Sequence, residues 1–286
     1  MKLIRINGLN TSYYSGGTGK RDVLLLHGWA SSGRMWLRTM WALRHNYRLW
    51  ALDLPGFGDS EAPHIDWYSI DRYTDHVAAF CAEMGIEPFA VIGHSMGGRI
   101  TLDIGRRYPH LAKRLVAISA TITGKLGLNL DIFMMGIMGD RVREWSRHVW
   151  PLAAATVITE YWAPKYLGSA AMRRTTEDLR RSNHQAVIES LRAVVRQDFS
   201  PHLNEIEHPT LVIVGKRDYT VPPKDSILAA RKIPRAQLIE LDDIHHQPTD
   251  ECHDTYLYAI EAFLSDIPIQ LPPRQKVQKP IFEAWQ

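Results

Sequence analysis

The sequence predicts an α/β fold in which a mostly parallel β-sheet is covered by helices on both faces. Several short runs rich in leucine and β-branched residues are each followed by glycine, proline or aspartate, and then by an amphipathic stretch of helical length. These runs do not alternate between apolar and polar residues, which is typical of parallel strands buried on both sides. The length of 286 residues and the 45% apolar composition favour one large domain, or a core with an insertion, over two complete domains.

Six strands and four helices are predicted from these patterns. The strands are Val23–Leu26, Tyr47–Leu52, Phe89–Ile92, Arg114–Ile118, Thr210–Val214 and Gln237–Leu241. The helices are Arg72–Met84, Gly97–Tyr108, Lys224–Lys232 and Glu251–Leu264. In the first of these helices, apolar residues recur at helical spacing and predict the face that packs against the core.

The alternation of strands and helices stops after Ser119 and resumes near Pro209. The block between them has a helical pattern and no convincing strand, which predicts a cap inserted into the core. The chain is therefore divided into a core of residues 1–120 and 208–267, a helical cap of residues 121–207, and a C-terminal tail of residues 268–286. The tail contains four prolines and no periodicity, so we expect either a flexible tail or an arm laid across the surface.

The predicted cap is rich in apolar and aromatic side chains. These can line a substrate cavity that faces the core, or they can form the core of the cap itself. The candidate substrate-binding residues are Phe133, Met134, Met138, Trp145 and Trp162. The cap also contains many arginines interleaved with acidic residues, a pattern more typical of a solvated face than of an anion site.

Charge and cysteine content argue against several function classes. The chain has 34 Lys and Arg against 31 Asp and Glu, and this small excess predicts no nucleic-acid partner. Cys81 and Cys252 lie far apart in sequence and outside any zinc-binding spacing, so we expect thiols without a disulfide, and neither a metal nor a cofactor. The first 14 residues lack a signal-peptide core and no run is long enough for a membrane span, so we expect a soluble, cytoplasmic protein.

The strongest chemical signal is GHSMGG at Gly93–Gly98, a GxSxG sequence directly after a predicted strand and before a predicted helix. Glycines in this context allow a sharp strand-to-helix turn, so that the hydroxyl of Ser95 stands at the carboxyl end of the strand. The N-terminus of the following helix favours negative charge that develops there. Ser95 is therefore the candidate nucleophile.

A serine hydroxyl attacks a carbonyl only when a base accepts its proton and another group orients that base. Strand Thr210–Val214 leads to Asp218, and the next predicted strand leads to the pair His245 and His246. Parallel strands end at the same edge of a sheet, so one of these histidines can accept the proton of Ser95 and donate from its other nitrogen to the carboxylate. The chain order Ser, Asp, His is the order expected for this architecture.

A further strand end carries HGW, directly after Val23–Leu26. The backbone N–H groups of Trp29 and Met96 are expected to converge on the oxyanion that forms when Ser95 attacks a carbonyl. Each such donor typically contributes about 3 kcal/mol to stabilisation of the transition state. His27, which begins the motif, is expected to hold the loop rather than to react.

Taken together, these motifs resemble the α/β-hydrolase superfamily. The matching segments are LLLHGW at Leu24–Trp29, DLPGFGDS at Asp53–Ser60, GHSMGG at Gly93–Gly98, VGKRDYTVP at Val214–Pro222 and HxPxxE at His246–Glu251. The resemblance implies the α/β-hydrolase fold, with an eight-stranded, mostly parallel sheet flanked by helices and a helical cap inserted after strand 6.

The resemblance also implies site residues. Ser95, Asp218 and His246 take the nucleophile, acid and base positions. The proline and glutamate that follow match the family pattern counted from His246. The family usually has a glycine before the base, and here His245 stands in that place as a competing candidate. A serine nucleophile disfavours the dehalogenase and epoxide hydrolase activities of this fold, which use aspartate.

Within the superfamily, the motif spacing is similar to the serine-nucleophile branch that contains methyl-ester esterases of biotin synthesis and hydrolases of meta-cleavage products. This resemblance implies a serine hydrolase that cleaves a carboxylic ester of a medium acyl or aromatic compound through an acyl-enzyme on Ser95. One alternative is a C–C bond hydrolase of meta-cleavage-type diketo acids that uses the same residues. A non-enzyme alternative is a catalytically silent ligand receptor. In every case the expected partner is a small molecule.

Overall fold

The computed structural model describes residues 1–127 and 169–271, and the elements below are numbered within those ranges. Eight strands form one sheet in the spatial order β1-β2-β4-β3-β5-β6-β7-β8. The strands are β1 Lys2–Ile6, β2 Leu9–Gly16, β3 Arg21–Leu26, β4 Tyr47–Leu52, β5 Ala90–His94, β6 Arg114–Ile118, β7 Thr210–Gly215 and β8 Ala236–Leu241. Only the pairs β1–β2 and β2–β4 are antiparallel among these strands, so the predicted eight-stranded, mostly parallel sheet is confirmed.

Eight α-helices lie in the same described ranges. They are α1 Leu37–Leu43, α2 Ile70–Met84, α3 Met96–Arg107, α4 Ala170–Arg181, α5 His184–Arg196, α6 Pro223–Lys232, α7 Pro248–Glu251 and α8 His253–Leu264. The four predicted helices are present, but the last one is split at Cys252 into α7 and α8. Within the described part of the chain, no helix combines the length and the apolar character needed to cross a membrane.

The sequence did not predict the N-terminal hairpin of β1 and β2. These strands are rich in polar residues, and β1 lies at the exposed edge of the sheet, so their apolar pattern is weak. Asn7 and Gly8 connect the strands with φ angles of 47° and 87°. An Asn-Gly pair suits a two-residue hairpin because both positions require positive φ. This pair is the overlooked signal in the sequence that could have predicted the hairpin.

The central strands bury side chains on both faces of the sheet. In β3, Leu24 and Leu26 join the core beneath α2 and α3, whereas Val23 and Leu25 join the core beneath α1 and α8. All four side chains are fully buried. Burial of each leucine contributes roughly 2 kcal/mol, which explains why these strands are continuously apolar.

The described part of the predicted cap consists of helices α4 and α5 and of the segments that join it to the core. Where the chain leaves the core after β6, the backbone N–H groups of Ile122 and Thr123 both donate to Oδ2 of Asp225, at 2.9 Å. Where the chain returns to the core after α5, the N–H of Phe199 donates to the carbonyl of Ile122, at 2.9 Å. The two connecting segments therefore lie side by side on the core.

The division into residues 1–120 with 208–267, 121–207 and 268–286 stays a prediction. Most of the predicted tail lies outside the described residues, but residues 268–271 are described. Ile269 and Leu271 pack, partly buried, against the core beneath α8.

Candidate active site

Ser95 occupies the turn between β5 and α3 with φ 55° and ψ −116°. A non-glycine residue in such a conformation costs of order 1–3 kcal/mol and persists where its surroundings hold it. Here the N–H of Ser95 donates to the carbonyl of Ile118, at 2.8 Å. A Cβ on Gly93 would lie 2.1 Å from the carbonyl oxygen of Gly97, and one on Gly97 would lie 2.3 Å from that of Leu26. Only glycines permit this close approach of the strand and the helix.

Asp218 and His246 form a buried pair at the ends of β7 and β8. His246 Nδ1 donates to Asp218 Oδ2 at 2.8 Å, and both side chains are completely buried. The other carboxylate oxygen accepts the backbone N–H groups of Thr220, at 3.0 Å, and Val221, at 2.9 Å. With its hydrogen on Nδ1, the ring leaves Nε2 as the atom able to accept a proton.

His94 joins the Ser95 turn to the loop that carries His246. Its Nε2 donates to the backbone carbonyl of His246, at 2.7 Å, and the two ring centroids are 4.8 Å apart. Burial lowers the pKa of His94 well below its usual value, so the ring is neutral and keeps one N–H for this bond. No role for His94 was predicted from the sequence. Its position directly before Ser95 is the signal that could have indicated a positioning role.

Glu251 holds the loop around the two adjacent histidines. Its buried carboxylate accepts the backbone N–H groups of His245 and Gln247, each at 3.1 Å. Burial raises the pKa of Glu251, while these donors oppose the rise. His245 Nδ1 lies 3.2 Å from the Glu251 carboxylate. The structure therefore directs His245 toward Glu251 and His246 toward Asp218.

His27 makes two hydrogen bonds that hold the HGW loop. Its Nδ1 donates to the carbonyl of Gly28, at 2.7 Å, and its Nε2 accepts the N–H of Leu54, at 2.9 Å. Burial lowers the pKa of His27, which keeps the ring neutral and able to accept at Nε2. These contacts fit the expectation that His27 holds the loop.

Trp29 connects the same loop to the cap. Its indole Nε1 donates to the carbonyl of Val187 in α5, at 2.7 Å. The loop also touches the Ser95 turn, because a Cβ on Gly28 would lie 3.1 Å from the Cβ of Ser95. The backbone that carries the expected oxyanion donor is thus held between the Ser95 turn and α5.

A narrow cavity is bordered by Ser95, Met96 and Trp29. Its remaining described lining residues are Thr121, Leu126, Leu191, Val194, Thr220 and Val221. Leu191 and Val194 come from α5, so the cap supplies one wall. Sequence analysis did not single out these two residues, although the amphipathic pattern of their helix is the signal that marks an inward face.

The sequence-predicted substrate-binding set lies outside the described residues. It comprises Phe133, Met134, Met138, Trp145 and Trp162. Two cap arginines that the structure does describe form ion pairs. Arg174 is 18% exposed and bonds Asp250, at 2.9 Å, next to the His246 loop, and Arg181 bonds Asp59. Arg174 therefore departs from the expected solvated face.

Residues 23–248 match the family model described as alpha/beta hydrolase fold. The chain belongs to this family. The membership agrees with the eight-stranded sheet and with a serine at the turn between β5 and α3.

Known proteins similar to this α/β-hydrolase chain have different names. It is 23% identical over 264 residues to a pimeloyl-[acyl-carrier protein] methyl ester esterase of Vibrio parahaemolyticus, covering 90% of this chain and 99% of that protein. It is 27% identical over 244 residues to the magnesium-chelatase 30 kDa subunit of Rhodobacter capsulatus, covering 80% and 82%. The crystal structure of the enol-lactonase from Burkholderia xenovorans LB400 matches with a TM-score of 0.80 and 20% identity, covering 92% of this chain and 100% of that one. This structural likeness shows the shared fold.

Potential metal ligands are dispersed in the described part of this α/β hydrolase. No group of three or more His, Cys, Asp or Glu side chains within residues 1–127 and 169–271 is arranged to hold a metal ion. Cys81 is a buried thiol whose pKa burial raises to about 12, so it stays protonated at neutral pH.

Proposed function

We propose that this α/β hydrolase is a serine hydrolase that cleaves a carboxylic ester of a medium acyl or aromatic compound through an acyl-enzyme on Ser95. The observation that carries the proposal is the buried hydrogen bond between His246 and Asp218, in a loop tied through His94 to the Ser95 turn. The names of the esterase and enol-lactonase relatives support an ester bond as the target.

In the first step, Oγ of Ser95 attacks the ester carbonyl while Nε2 of His246 accepts the hydroxyl proton. Asp218 keeps the ring in the required tautomer and stabilises the imidazolium that forms. Its second oxygen is already occupied by two backbone N–H groups, so the carboxylate is fixed in orientation before the reaction begins.

The negative charge that develops on the carbonyl oxygen requires donors that are already in place. Met96 is the first residue of α3, where the backbone N–H groups have no partner within the helix. The N–H groups of Met96 and Trp29 donate to the oxyanion in this proposal, because both residues border the cavity beside Ser95. Each donor contributes about 3 kcal/mol to the transition state.

The tetrahedral intermediate then collapses. The alkoxide leaving group takes the proton from His246 and departs as the alcohol, and the acyl group remains bonded to Ser95. Water attacks the acyl-enzyme, with His246 accepting its proton and returning it to Ser95, and the carboxylic acid leaves. The apolar wall formed by Leu191 and Val194 suits an apolar acyl group.

The proposal is tested by labelling with a fluorophosphonate and by hydrolysis of a panel of p-nitrophenyl esters. The parent protein is expected to be labelled and to cleave esters, and Ser95→Ala is expected to lose both. The adjacent histidines provide a matched pair. His246→Gln is expected to lower kcat by about three orders of magnitude or more, whereas His245→Gln keeps the Asp218 pair intact and lowers kcat by less than about tenfold.

Ester turnover that persists in Ser95→Ala would refute Ser95 as the nucleophile. A larger loss of kcat in His245→Gln than in His246→Gln would refute His246 as the base. Diketo acids in the same panel test the C–C hydrolase alternative, which is favoured if they are cleaved and esters are not. Tight ligand binding without turnover of any acyl substrate by the parent would favour the receptor alternative.

A further inference from the structure

Two threonine hydroxyls in the wall of the active-site cavity lack a partner in the part of the chain that the structure describes. Thr121 follows β6 and Thr220 follows β7, and both border the cavity together with Ser95. The two residues are only 4% and 2% exposed. Neither Oγ1 atom has a hydrogen-bond partner within residues 1–127 and 169–271.

The other buried threonines have hydrogen-bond partners, whereas the buried hydroxyls of Ser119 and Ser226 also lack one within the described ranges. Six further threonines are buried in the described ranges, and each of their hydroxyls has a hydrogen-bond partner. They are Thr11, Thr39, Thr74, Thr101, Thr210 and Thr249. A buried hydroxyl without a partner is unfavourable, so native proteins rarely retain one without a reason. Of the four buried Ser and Thr hydroxyls without a partner in the described ranges, those of Thr121 and Thr220 belong to residues that border the same cavity, which points to a ligand as their missing partner.

The backbone holds both threonines next to the proposed catalytic groups. The N–H of Thr220 donates to Asp218 Oδ1 at 3.0 Å, and its carbonyl accepts the N–H of Gly127 at 2.8 Å. The N–H of Thr121 lies 3.5 Å from the carbonyl oxygen of Ser95. The backbone at both threonines is therefore held next to Ser95 and Asp218.

The chemistry of the wall narrows the class of ligand atom. The other described residues that line the cavity, apart from Ser95, are apolar, and none of the described lining residues is charged. Among these described lining residues an ionised carboxylate has no countercharge, whereas a neutral oxygen can accept from two hydroxyl donors. The alcohol departs after the first step while the acyl group stays bonded to Ser95, so a buried wall suits the acyl part of the substrate.

We propose that Thr121 and Thr220 form a polar subsite that binds a neutral oxygen substituent, a hydroxyl or keto group, on the acyl chain of the substrate. The proposal rests on the proposed function of Ser95 and narrows the substrate class to oxygen-substituted acyl esters. A site built to bond such an oxygen discriminates strongly against the analogue that lacks it, because the hydroxyls are then left unpaired.

The test uses pairs of p-nitrophenyl esters of equal shape. Each ester with a hydroxyl at carbon 2, 3 or 4 of the acyl chain is matched by the ester with a methyl group there, as in 3-hydroxybutanoate against 3-methylbutanoate. For the best pair, the parent is expected to prefer the hydroxy ester in kcat/KM by about tenfold or more. Thr121→Val and Thr220→Val keep the shape of the side chain and are each expected to reduce this ratio by at least about fivefold.

Thr74→Val is the matched control, because it removes a buried hydroxyl that bonds the carbonyl of Ile70 in α2, outside the cavity lining. Its ratio is expected to equal that of the parent. A parent ratio near one, or a ratio that survives in both cavity variants, would overturn the subsite. Equal losses of kcat/KM for the hydroxy ester and the methyl ester in the cavity variants would also overturn the subsite, since they indicate a general effect on turnover.

A binding measurement separates failure of the subsite from failure of the proposed function. Calorimetry with Ser95→Ala and the corresponding ethyl esters requires no catalysis. The hydroxy ester is expected to bind about tenfold more tightly than the methyl ester, and Thr121→Val in the same background is expected to abolish the difference. If the parent cleaves no ester but this difference is present, the function fails and the subsite stands. If esters are cleaved and the difference is absent, the subsite fails alone.

Discussion

The hydrogen bond from Trp29 to α5 makes the geometry of the HGW loop, which carries a proposed oxyanion donor, depend on the position of α5. Trp29→Phe keeps an aromatic ring in the loop and removes only the indole N–H that donates to the carbonyl of Val187, at 2.7 Å. That carbonyl lies within α5 and also receives the hydroxyl of Ser190, at 3.4 Å, so the substitution does not leave it without a donor. We therefore expect a stability loss of about 1 kcal/mol, the net value of one neutral hydrogen bond.

The effect on catalysis follows from the place of Trp29 in the loop. A displaced loop misplaces the backbone N–H of Trp29 that we propose as an oxyanion donor, and full loss of such a donor costs about 3 kcal/mol. The decrease in kcat is expected to lie between about fivefold, for the hydrogen bond alone, and about 100-fold, for the complete donor. Because the donor acts mainly in the transition state, KM is expected to change by less than about threefold.

Steady-state hydrolysis of a p-nitrophenyl ester measures both constants, and urea unfolding measures the stability. Trp36→Phe is the matched control. Trp36 is fully buried on the opposite face of the sheet, and its indole nitrogen has no hydrogen-bond partner in the described residues. This variant is expected to keep the parent kcat. An unchanged kcat in Trp29→Phe, or equal decreases in both variants, would refute the coupling of the loop to the cap.

Three further predictions follow from buried polar contacts. His94→Phe removes the donor to the carbonyl of His246 and is expected to lower kcat about tenfold with little change in KM; unchanged ester kinetics would contradict this positioning role. Burial lowers the pKa of His76 to about 4. Its neutral form therefore stabilises the fold above the unfolded pKa of about 6.5, and this stability is lost as the pH falls through the folded pKa. Between pH 7 and pH 4, the free energy of unfolding of the parent should decrease by about 3 kcal/mol more than that of His76→Gln, and parallel urea titrations check this difference. Arg174→Met leaves the largely buried Asp250 carboxylate without its ion pair and is expected to cost about 3 kcal/mol in the free energy of unfolding. The double variant Arg174→Met with Asp250→Asn is expected to regain stability. An unchanged urea midpoint in Arg174→Met alone would argue against this cause.

The parts of the fold that the sequence predicted are those whose signal lies within a few neighbouring residues. Strands β3 to β8 are predicted because each contains a short run of mostly apolar residues, and α2 because its apolar residues recur at helical spacing. The β1–β2 hairpin was missed because an edge strand keeps one side in solvent and needs few apolar residues. The break at Cys252, where φ is −143° and ψ is 50°, was missed because no glycine or proline marks it in the sequence.

For the site, local sequence determined that Ser95 stands in a sharp turn, since the glycines on either side allow a backbone approach that any Cβ would prevent. The chain order of the three candidate residues was equally readable. The choice between adjacent histidines was different in kind. It depends on which carboxylate each ring meets, and Asp218 lies 28 residues before His246, whereas Glu251 lies in the following turn.

Contacts between distant segments decided the remaining features of the site. The bond from Trp29 to Val187 joins residues 158 positions apart, and the bond from His94 to His246 joins residues 152 positions apart. Whether the hydroxyls of Thr121 and Thr220 have hydrogen-bond partners likewise depends on how distant segments pack around the cavity. Glycine requirements and apolar periodicity are short-range effects of chain geometry and of solvent, so the sequence determined the fold and the sharp turn at Ser95. The partner of a buried polar group is chosen by whichever atoms packing brings within 3 Å, and that choice exists only in the tertiary structure.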